Sequence, residues 1–348
     1  MLEIDGSYGS GGGQILRTAL ALSAILGRGF SIRNIRARRP RPGLMPQHLA
    51  SVRAAAGLCN ARVRGGVLGS TELDFEPGPI KAGNLVVDVA GETGSAGAVT
   101  LVAQTVMPIM FFASQPCTAT LRGGTHVPFS PVYEYLAQVV IPFIRNLGYR
   151  AEARLCRAGF YPAGGGEVLL RTMPAQPPGT DRIVLAEPGR RKGIRIVSAV
   201  SRLPVSIAER QLKRLGMRLK NTAFEAEVRE VPADGPGTYL YLEAEYERIT
   251  VGFSALGRKG KPAEAVADEV YEQFAAHEQT GCALDPHLAD QCLIFLLLRN
   301  VPFTFTTSRV TGHLETNIWL LNRFLPDREI ELQVNQDRTG VVRTGCCK

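Results

Sequence analysis

Long apolar stretches alternate with short ones along this chain, and Gly- or Pro-rich breaks separate them. The long runs read as helices and the short ones as strands. Three segments share this order. In the first, the loop Gly6–Gly13 leads into an apolar helix over Gln14–Leu26. A strand over Phe30–Ile35, a basic loop over Arg36–Pro46, a helix over Gln47–Leu58 and strands over Ala61–Arg64 and Glu72–Phe75 follow. The second opens with a strand, Leu85–Val89, then the loop Gly91–Gly97 and a buried helix reaching Phe112. It continues through a strand over Thr118–Arg122, the loop Gly123–Pro131, a helix over Val132–Leu147 and strands near Ala151–Leu155 and Glu167–Arg171. The third starts at a helix over His287–Leu298. A strand over Phe303–Thr307, the loop Ser308–Gly312, a helix over His313–Phe324 and strands near Glu329–Gln333 and Val341–Arg343 complete it. The pattern predicts an α/β fold whose repeat lies in element order, not in letters.

Between the second and third segments the pattern changes. Arg182–Thr280 carries the basic run Arg190–Lys192, a helix over Ile207–Leu215 and a Pro/Gly turn over Pro232–Gly237. Strands over Tyr239–Tyr246 and Thr250–Ala255 and a charged helix over Ala263–His277 follow. The chain thus divides into residues 1–181, two units of a large domain; 182–280, a small inserted domain; and 281–348, the third unit. Met173–Gly179, with its prolines, leads into the insertion and Gln279–Ala283 leads out. A length of 348 residues fits more than one small core. In each unit the loop between the first strand after a helix and the next helix is polar or basic. These loops hold Arg36, Arg39 and Arg41, then Thr125, His126 and Pro128, then Ser308–His313. Units packed alike would bring them to one site.

Composition narrows the function. The formal net charge is +8 and the pI near 9.3, a balance that favours polyanionic partners without requiring them. The cysteine count is odd, at seven, and no CxxC pair occurs. That argues against a zinc site or a secreted disulfide framework and fits a reducing cytoplasm. The first residues lack the basic and apolar regions of a signal peptide. Thr93–Leu121 is uncharged, but Gln104, Pro108 and several hydroxyl residues interrupt it, so a buried helix is expected there and no membrane span.

Five segments could carry chemistry. GSYGSGGGQILR (Gly6–Arg17) runs a glycine loop into a helix, where backbone N–H groups can hold phosphate. It lacks the GK[ST] of a Walker loop, and a tight structural turn explains it as well. ARRPRPGLMPQH (Ala37–His48) gathers Arg38, Arg39 and Arg41; arginine suits phosphate, although a solvated basic loop would look the same. RAGFYPAGGGEV (Arg157–Val168) reads as a rigid turn or a plain hairpin. HLADQ (His287–Gln291) puts Asp290 in a first turn, where an acid usually complements the helix dipole and could also orient a histidine or hold a nucleotide. SRVTGHLETNIWLLNRF (Ser308–Phe324) sets His313 at a helix start after Gly312. A neutral imidazole there can attack phosphorus, and the positive helix end disfavours its protonation. A lone histidine in that position is, on its own, more often a bystander.

Taken together, GGGQILR, RPGLMPQHL, GSAGAVTLVAQTV, GFYPAGGG, LADQ and HLETN resemble the RNA 3′-terminal phosphate cyclases, in that family's order and spacing, from about Ile4 to Phe324. The resemblance implies three βαβαββ units forming a large domain, with a smaller α/β domain inserted before the third. It implies a three-step reaction. His313 attacks the α-phosphorus of ATP and releases pyrophosphate, leaving a histidine–AMP adduct. AMP passes to an RNA 3′-phosphate, giving RNA(3′)pp(5′)A. The neighbouring 2′-OH then closes a 2′,3′-cyclic phosphate and expels AMP. The implied ATP-binding residues are Asp290, Gln291, His287, Pro128 and Gln104. Arg17, Arg39, Gln47 and Arg36 would hold phosphate from ATP or the RNA end. Mg²⁺ or Mn²⁺ would neutralise the departing pyrophosphate, the partners would be RNA 3′-phosphate ends, and a homodimer is compatible with this reading.

Two positions depart from the family pattern. Ser10 stands where the family commonly has the glutamate of GEGGG, beside the metal and phosphates. Ala158 replaces a basic residue before the GFYPAGGG glycine. Two other classes remain open at this point. One is a cyclase-like RNA-binding protein without catalysis, which Ser10 favours and His313, Asp290 and Gln291 disfavour. The other is a small-molecule transferase built on a related repeat.

Overall fold

The computed structural model describes residues 1–89, 96–176, 181–220 and 222–345. Most of the expected loop Gly91–Gly97, the end of Met173–Gly179, and Cys346 and Cys347 lie outside the described residues. The first six elements are β1 (Leu2–Asp5), α1 (Gly13–Leu26), β2 (Phe30–Arg33), α2 (Pro46–Cys59), β3 (Arg62–Arg64) and β4 (Leu73–Glu76). β1 and β2 run parallel, with α1 as the crossover that parallel neighbours require. β4 lies antiparallel to β2, and β3 closes the order β1-β2-β4-β3. Helix ends are set locally. Gly27 stops α1 in the left-handed conformation, φ 63°. Asn60 does the same for α2 at φ 48°.

The next stretch repeats that succession. β5 (Asn84–Asp88), α3 (Val99–Met110) and β6 (Cys117–Gly123) lead to a helix in three parts: α4 (Tyr133–Tyr135), a π-helical turn over Leu136–Val140, and α5 (Ile141–Asn146). β7 (Ala151–Arg157) and β8 (Gly166–Thr172) follow, in the order β5-β6-β8-β7. α3 carries the uncharged run and is buried on nearly every face. No helix among the described residues is long and apolar enough to cross a membrane.

A short strand, β9 (Ile183–Leu185), comes next. After it come β10 (Arg191–Ser201), α6 (Ser206–Leu219), β11 (Glu225–Glu230), β12 (Gly237–Tyr246), β13 (Thr250–Leu256) and α7 (Ala263–Glu278). β10 to β13 form their own sheet in the order β11-β10-β12-β13. The chain then continues through α8 (Pro286–Leu298), β14 (Phe303–Thr307), α9 (Gly312–Phe324), β15 (Ile330–Val334) and β16 (Gly340–Thr344). β9 pairs parallel with β14, completing the order β15-β16-β14-β9. The insertion expected over 182–280 would include residue 183, but the pairing puts β9 in the sheet of the last segment. Three sheets therefore share one strand order, and the fourth is the one carried by residues 191–256.

The helices of the three like segments meet in the interior. α1 packs on α2, α3 and α9; α8 packs on α3 and α9. Ile15, Leu16, Val102, Val106, Leu293, Leu296, Leu320 and Leu321 are all essentially inaccessible there. Removing so much apolar surface from water is the main force holding the layer together. The arrangement also brings several helix starts to one place.

Candidate active site

Three helix N-termini converge. Gly13 opens α1 against the buried ring of His48 in the first turn of α2. A Cβ added at Gly13 would stand 2.5 Å from His48 Cδ2, closer still to Nε2, and 3.1 Å from Arg17 Nη1. Gly312 opens α9, where a Cβ would lie 3.8 Å from Ser10 Cβ. The loop before α1 is pinned to α9: Ser10 N–H donates to Thr316 Oγ1 at 3.1 Å, and Gly9 takes φ 54° where a Cβ would collide with that hydroxyl. The starts of α1, α2 and α9 thus lie close together, and the positive ends of their dipoles suit an anion.

His313 is the second residue of α9, behind Thr311, whose hydroxyl caps Leu314 N–H at 3.1 Å. A Cβ at Gly12 would lie 3.8 Å from His313 Cε1 and 3.2 Å from Arg39 Nη2, so glycine there lets the loop pass between imidazole and guanidinium. Arg39 is fixed by donating from Nη2 to Ser10 O at 3.2 Å. His313 keeps an exposed face, yet enough protein surrounds its ring to penalise the charged form. That partial desolvation, with Arg17, Arg39 and His287 nearby, holds its pKa below the ordinary imidazole value. The ring is neutral at pH 7 and carries a free lone pair.

Deeper in the cleft sit Arg17 and Asp290. Burial raises the Asp290 carboxyl to about 8, against the opposing pull of Arg17. Burial lowers Arg17 to about 10, with Asp290 acting the other way, so the guanidinium stays charged at neutral pH. Gln14, Thr18, Gln104, Gln291 and Asn317 line the same space, an enclosed volume of about 30 Å³. Gln104 Nε2 donates to Gln291 Oε1 at 2.9 Å, and Gln291 Nε2 donates to the carbonyl of His287 at 3.1 Å. Arg17 Nε, Gln14 Oε1 and Ser10 Oγ are buried and find no hydrogen-bond partner among the described residues. Orphaned groups of this kind are costly in a finished core and expected in a site that meets a polar ligand.

The structure gathers His313, Arg39, Arg17, Asp290, Gln291, Gln104 and Ser10 into this cleft. His287 lies exposed at the start of α8, its ring edge-on to Tyr135 at 6.3 Å. Gln47 sits at the start of α2 and accepts from Ala98 N–H at 3.2 Å, so it also fastens the start of α3. Arg36 is bent inward: its Nη1 donates to the carbonyls of Arg41 and Gly43 at 2.6 and 2.9 Å, which shapes the basic loop. Pro128 is exposed on the loop after β6 and does not line the cleft around Arg17 and Asp290.

Several site residues escaped the sequence reading. His48 is buried, and its pKa falls to about 3 through burial and the charges of Arg17 and Arg36. Its Nδ1 accepts Met45 N–H at 3.1 Å, which leaves the ring proton on Nε2. Gln14, Thr316 and Asn317 were also missed; Asn317 bridges Thr18 Oγ1 and the Asp290 carbonyl, at 3.0 and 2.8 Å. Gln14 lies one turn before Arg17, a spacing that puts both on one helix face and could have flagged it. Among the described residues no three His, Cys, Asp or Glu side chains gather where a metal could sit. Ser10 offers a buried hydroxyl where a carboxylate was expected, so the described residues form no carboxylate cage of their own for Mg²⁺ or Mn²⁺.

Comparison with known proteins agrees along nearly the whole chain. The family model for RNA 3′-terminal phosphate cyclase matches residues 8–330. A protein of that name from Methylococcus capsulatus is 44% identical over 352 residues, covering 99% of this chain and 96% of that protein. One from Gloeothece citriformis is 42% identical, covering 99% of each. One from Methanopyrus kandleri is 42% identical, covering 94% of each.

Proposed function

Because the chain belongs to the RNA 3′-terminal phosphate cyclase family, we propose that it converts an RNA 3′-terminal phosphate into a 2′,3′-cyclic phosphate at the expense of ATP. The observation that carries this reading is the neutral imidazole of His313, set at a helix start and flanked by Arg39 and Arg17. On this reading the three sheets of like order are the family's repeats. The sheet of residues 191–256 then belongs to an insertion between β9 and α8.

His313 attacks the α-phosphorus of ATP; the N–P bond forms as the bond to pyrophosphate breaks. Arg39, Arg17 and the helix N-termini offset the charge that grows on the leaving group. An RNA 3′-phosphate oxygen then displaces the imidazole, forming RNA(3′)pp(5′)A. A phosphomonoester lacks a good leaving group, and the adenylyl group supplies one. The vicinal 2′-OH attacks intramolecularly with a large proximity advantage, and AMP departs. Gln104 and Gln291, already locked to each other, offer amide edges to the nucleotide, and Asp290 lies beneath. The enclosed space near Arg17 holds no more than a water or two, so the base would occupy the open mouth beside His287. The odd cysteine count without a CxxC pair fits a reducing cytoplasm as the setting.

The test uses a 3′-phosphorylated oligoribonucleotide with ATP. The expected result is an end resistant to phosphatase, with AMP and pyrophosphate released in equal amounts. An end that stays phosphatase-sensitive while the protein still binds RNA would support instead a non-catalytic RNA-binding relative.

A further inference from the structure

Two large aromatic side chains stand in solvent on adjoining loops outside the cleft. Phe129 is 102% exposed and Tyr161 is 67% exposed. Phenylalanine is among the residues most often buried, so full exposure calls for a reason. Phe129 also takes φ 64°, a region unfavourable for any residue with a Cβ. The loop is nonetheless tied down on both sides: Ser130 Oγ donates to Val127 O at 2.9 Å, and Thr100 Oγ1 donates to Pro131 O at 2.8 Å.

The two loops form one unit. Thr125 N–H and His126 N–H donate to Gly159 O at 2.9 and 3.0 Å, and Gly159 N–H returns a bond to Thr125 Oγ1 at 2.8 Å. His126 stacks on Phe160 and on Tyr239, at 5.4 and 4.2 Å, and bonds Glu134 Oε2 at 2.7 Å. Glu134 in turn accepts from Tyr239 OH. All of this is buried, so Phe129 and Tyr161 project from a rigid base. The root of that base meets the phosphate side of the active site. Gly124 N–H donates to Gly97 O and Val99 N–H donates to Gly124 O, while Ala98 N–H donates to Gln47 Oε1.

We propose that Phe129 and Tyr161 are a stacking platform for the last bases of a single-stranded RNA whose 3′-phosphate is held near Gln47. The proposal rests on the reading of the active site given above and extends it to the substrate's bases. Aromatic faces accept any base, so such a platform holds RNA ends without choosing their sequence. A net charge of +8 suits the backbone that follows. Asp234 lies beside Gly165 of the same turn, and Arg157 pairs with it at 3.4 Å.

The test combines kinetics with fluorescence. Phe129→Ala and Tyr161→Ala should each raise the KM for a 3′-phosphorylated oligoribonucleotide by about fivefold to 150-fold, the range of one lost base stack, while Phe129→Trp and Tyr161→Phe retain it. Trp319 is the only native tryptophan, so Phe129→Trp adds one new emitter. Its emission should be quenched by the oligonucleotide and not by ATP. Quenching by ATP, or a rise confined to the KM for ATP, would assign Phe129 to the adenine and overturn the proposal; so would alanine variants with unmoved KM for RNA. Quenching needs no turnover. RNA-dependent quenching in a protein that never cyclises RNA would therefore keep the platform and discard the proposed reaction.

Discussion

Gly13→Ala tests the packing on which the site depends. The new methyl group would stand 2.5 Å from His48 Cδ2, closer still to Nε2, and 3.1 Å from Arg17 Nη1. Carbon contacts settle near 3.5 Å, so the ring must move by about 1 Å or more. His48 is 5% exposed and has no open side to move into. Overpacking of this kind costs about 1–3 kcal/mol. Moving the ring also breaks the Met45 N–H to Nδ1 bond at the start of α2, worth about 0.5–1.5 kcal/mol. Alanine in a helix returns up to about 1 kcal/mol, which leaves a net loss near 2 kcal/mol. Gly57, in α2, is the matched control, since a Cβ there meets nothing within 4 Å. Gly57→Ala should gain up to about 1 kcal/mol. With a urea m-value of about 3 kcal/mol per molar, the two midpoints should differ by about 1 M. A Gly13→Ala midpoint at or above the wild type would refute the described contact between α1 and α2.

The rate of AMP uptake against pH should stay flat near neutrality and fall only below the ordinary imidazole pKa, because His313 must be neutral and its pKa is lowered. Arg39→Met removes one of the cations responsible and should move that acid limb to higher pH; a wild-type limb at or above 6.5 contradicts this. Between 3.8 and about 8 native Asp290 keeps a proton that the unfolded chain has released, so stability falls as pH rises through that window. Asp290→Asn should flatten the slope and melt above the wild type at pH 8 while AMP uptake drops, and an Asn variant melting lower there would sink the argument. Ser10→Ala removes a buried hydroxyl without a partner, so thermal unfolding should show no loss; a large drop would mean the hydroxyl is satisfied.

Much of the fold was legible because the long helices are apolar over most of their length. β14 was read to its ends, and α1, α2, α8 and α9 to within one residue. β1 and β9 were not. Leu2–Asp5 has four residues and runs straight into glycines, and Ile183–Leu185 has three and pairs with a strand more than a hundred residues away. Nothing local encodes such a pairing. The charged members of the cleft were legible as motifs, but His48, Gln14, Thr316 and Asn317 look like ordinary polar helix positions. Only packing shows that they point inward. Arg36 shows the converse: its type suits phosphate, and the fold has spent it largely on its own loop.

His313 is the centre of the proposed reaction. The protein is incubated with ATP labelled at the α-phosphate and a divalent metal ion, without RNA, and the chain is digested and the modified residue located. One AMP per chain is expected on His313, held by an acid-labile bond and lost in His313→Ala. Label that is absent from the wild type, or undiminished in His313→Ala, would contradict it.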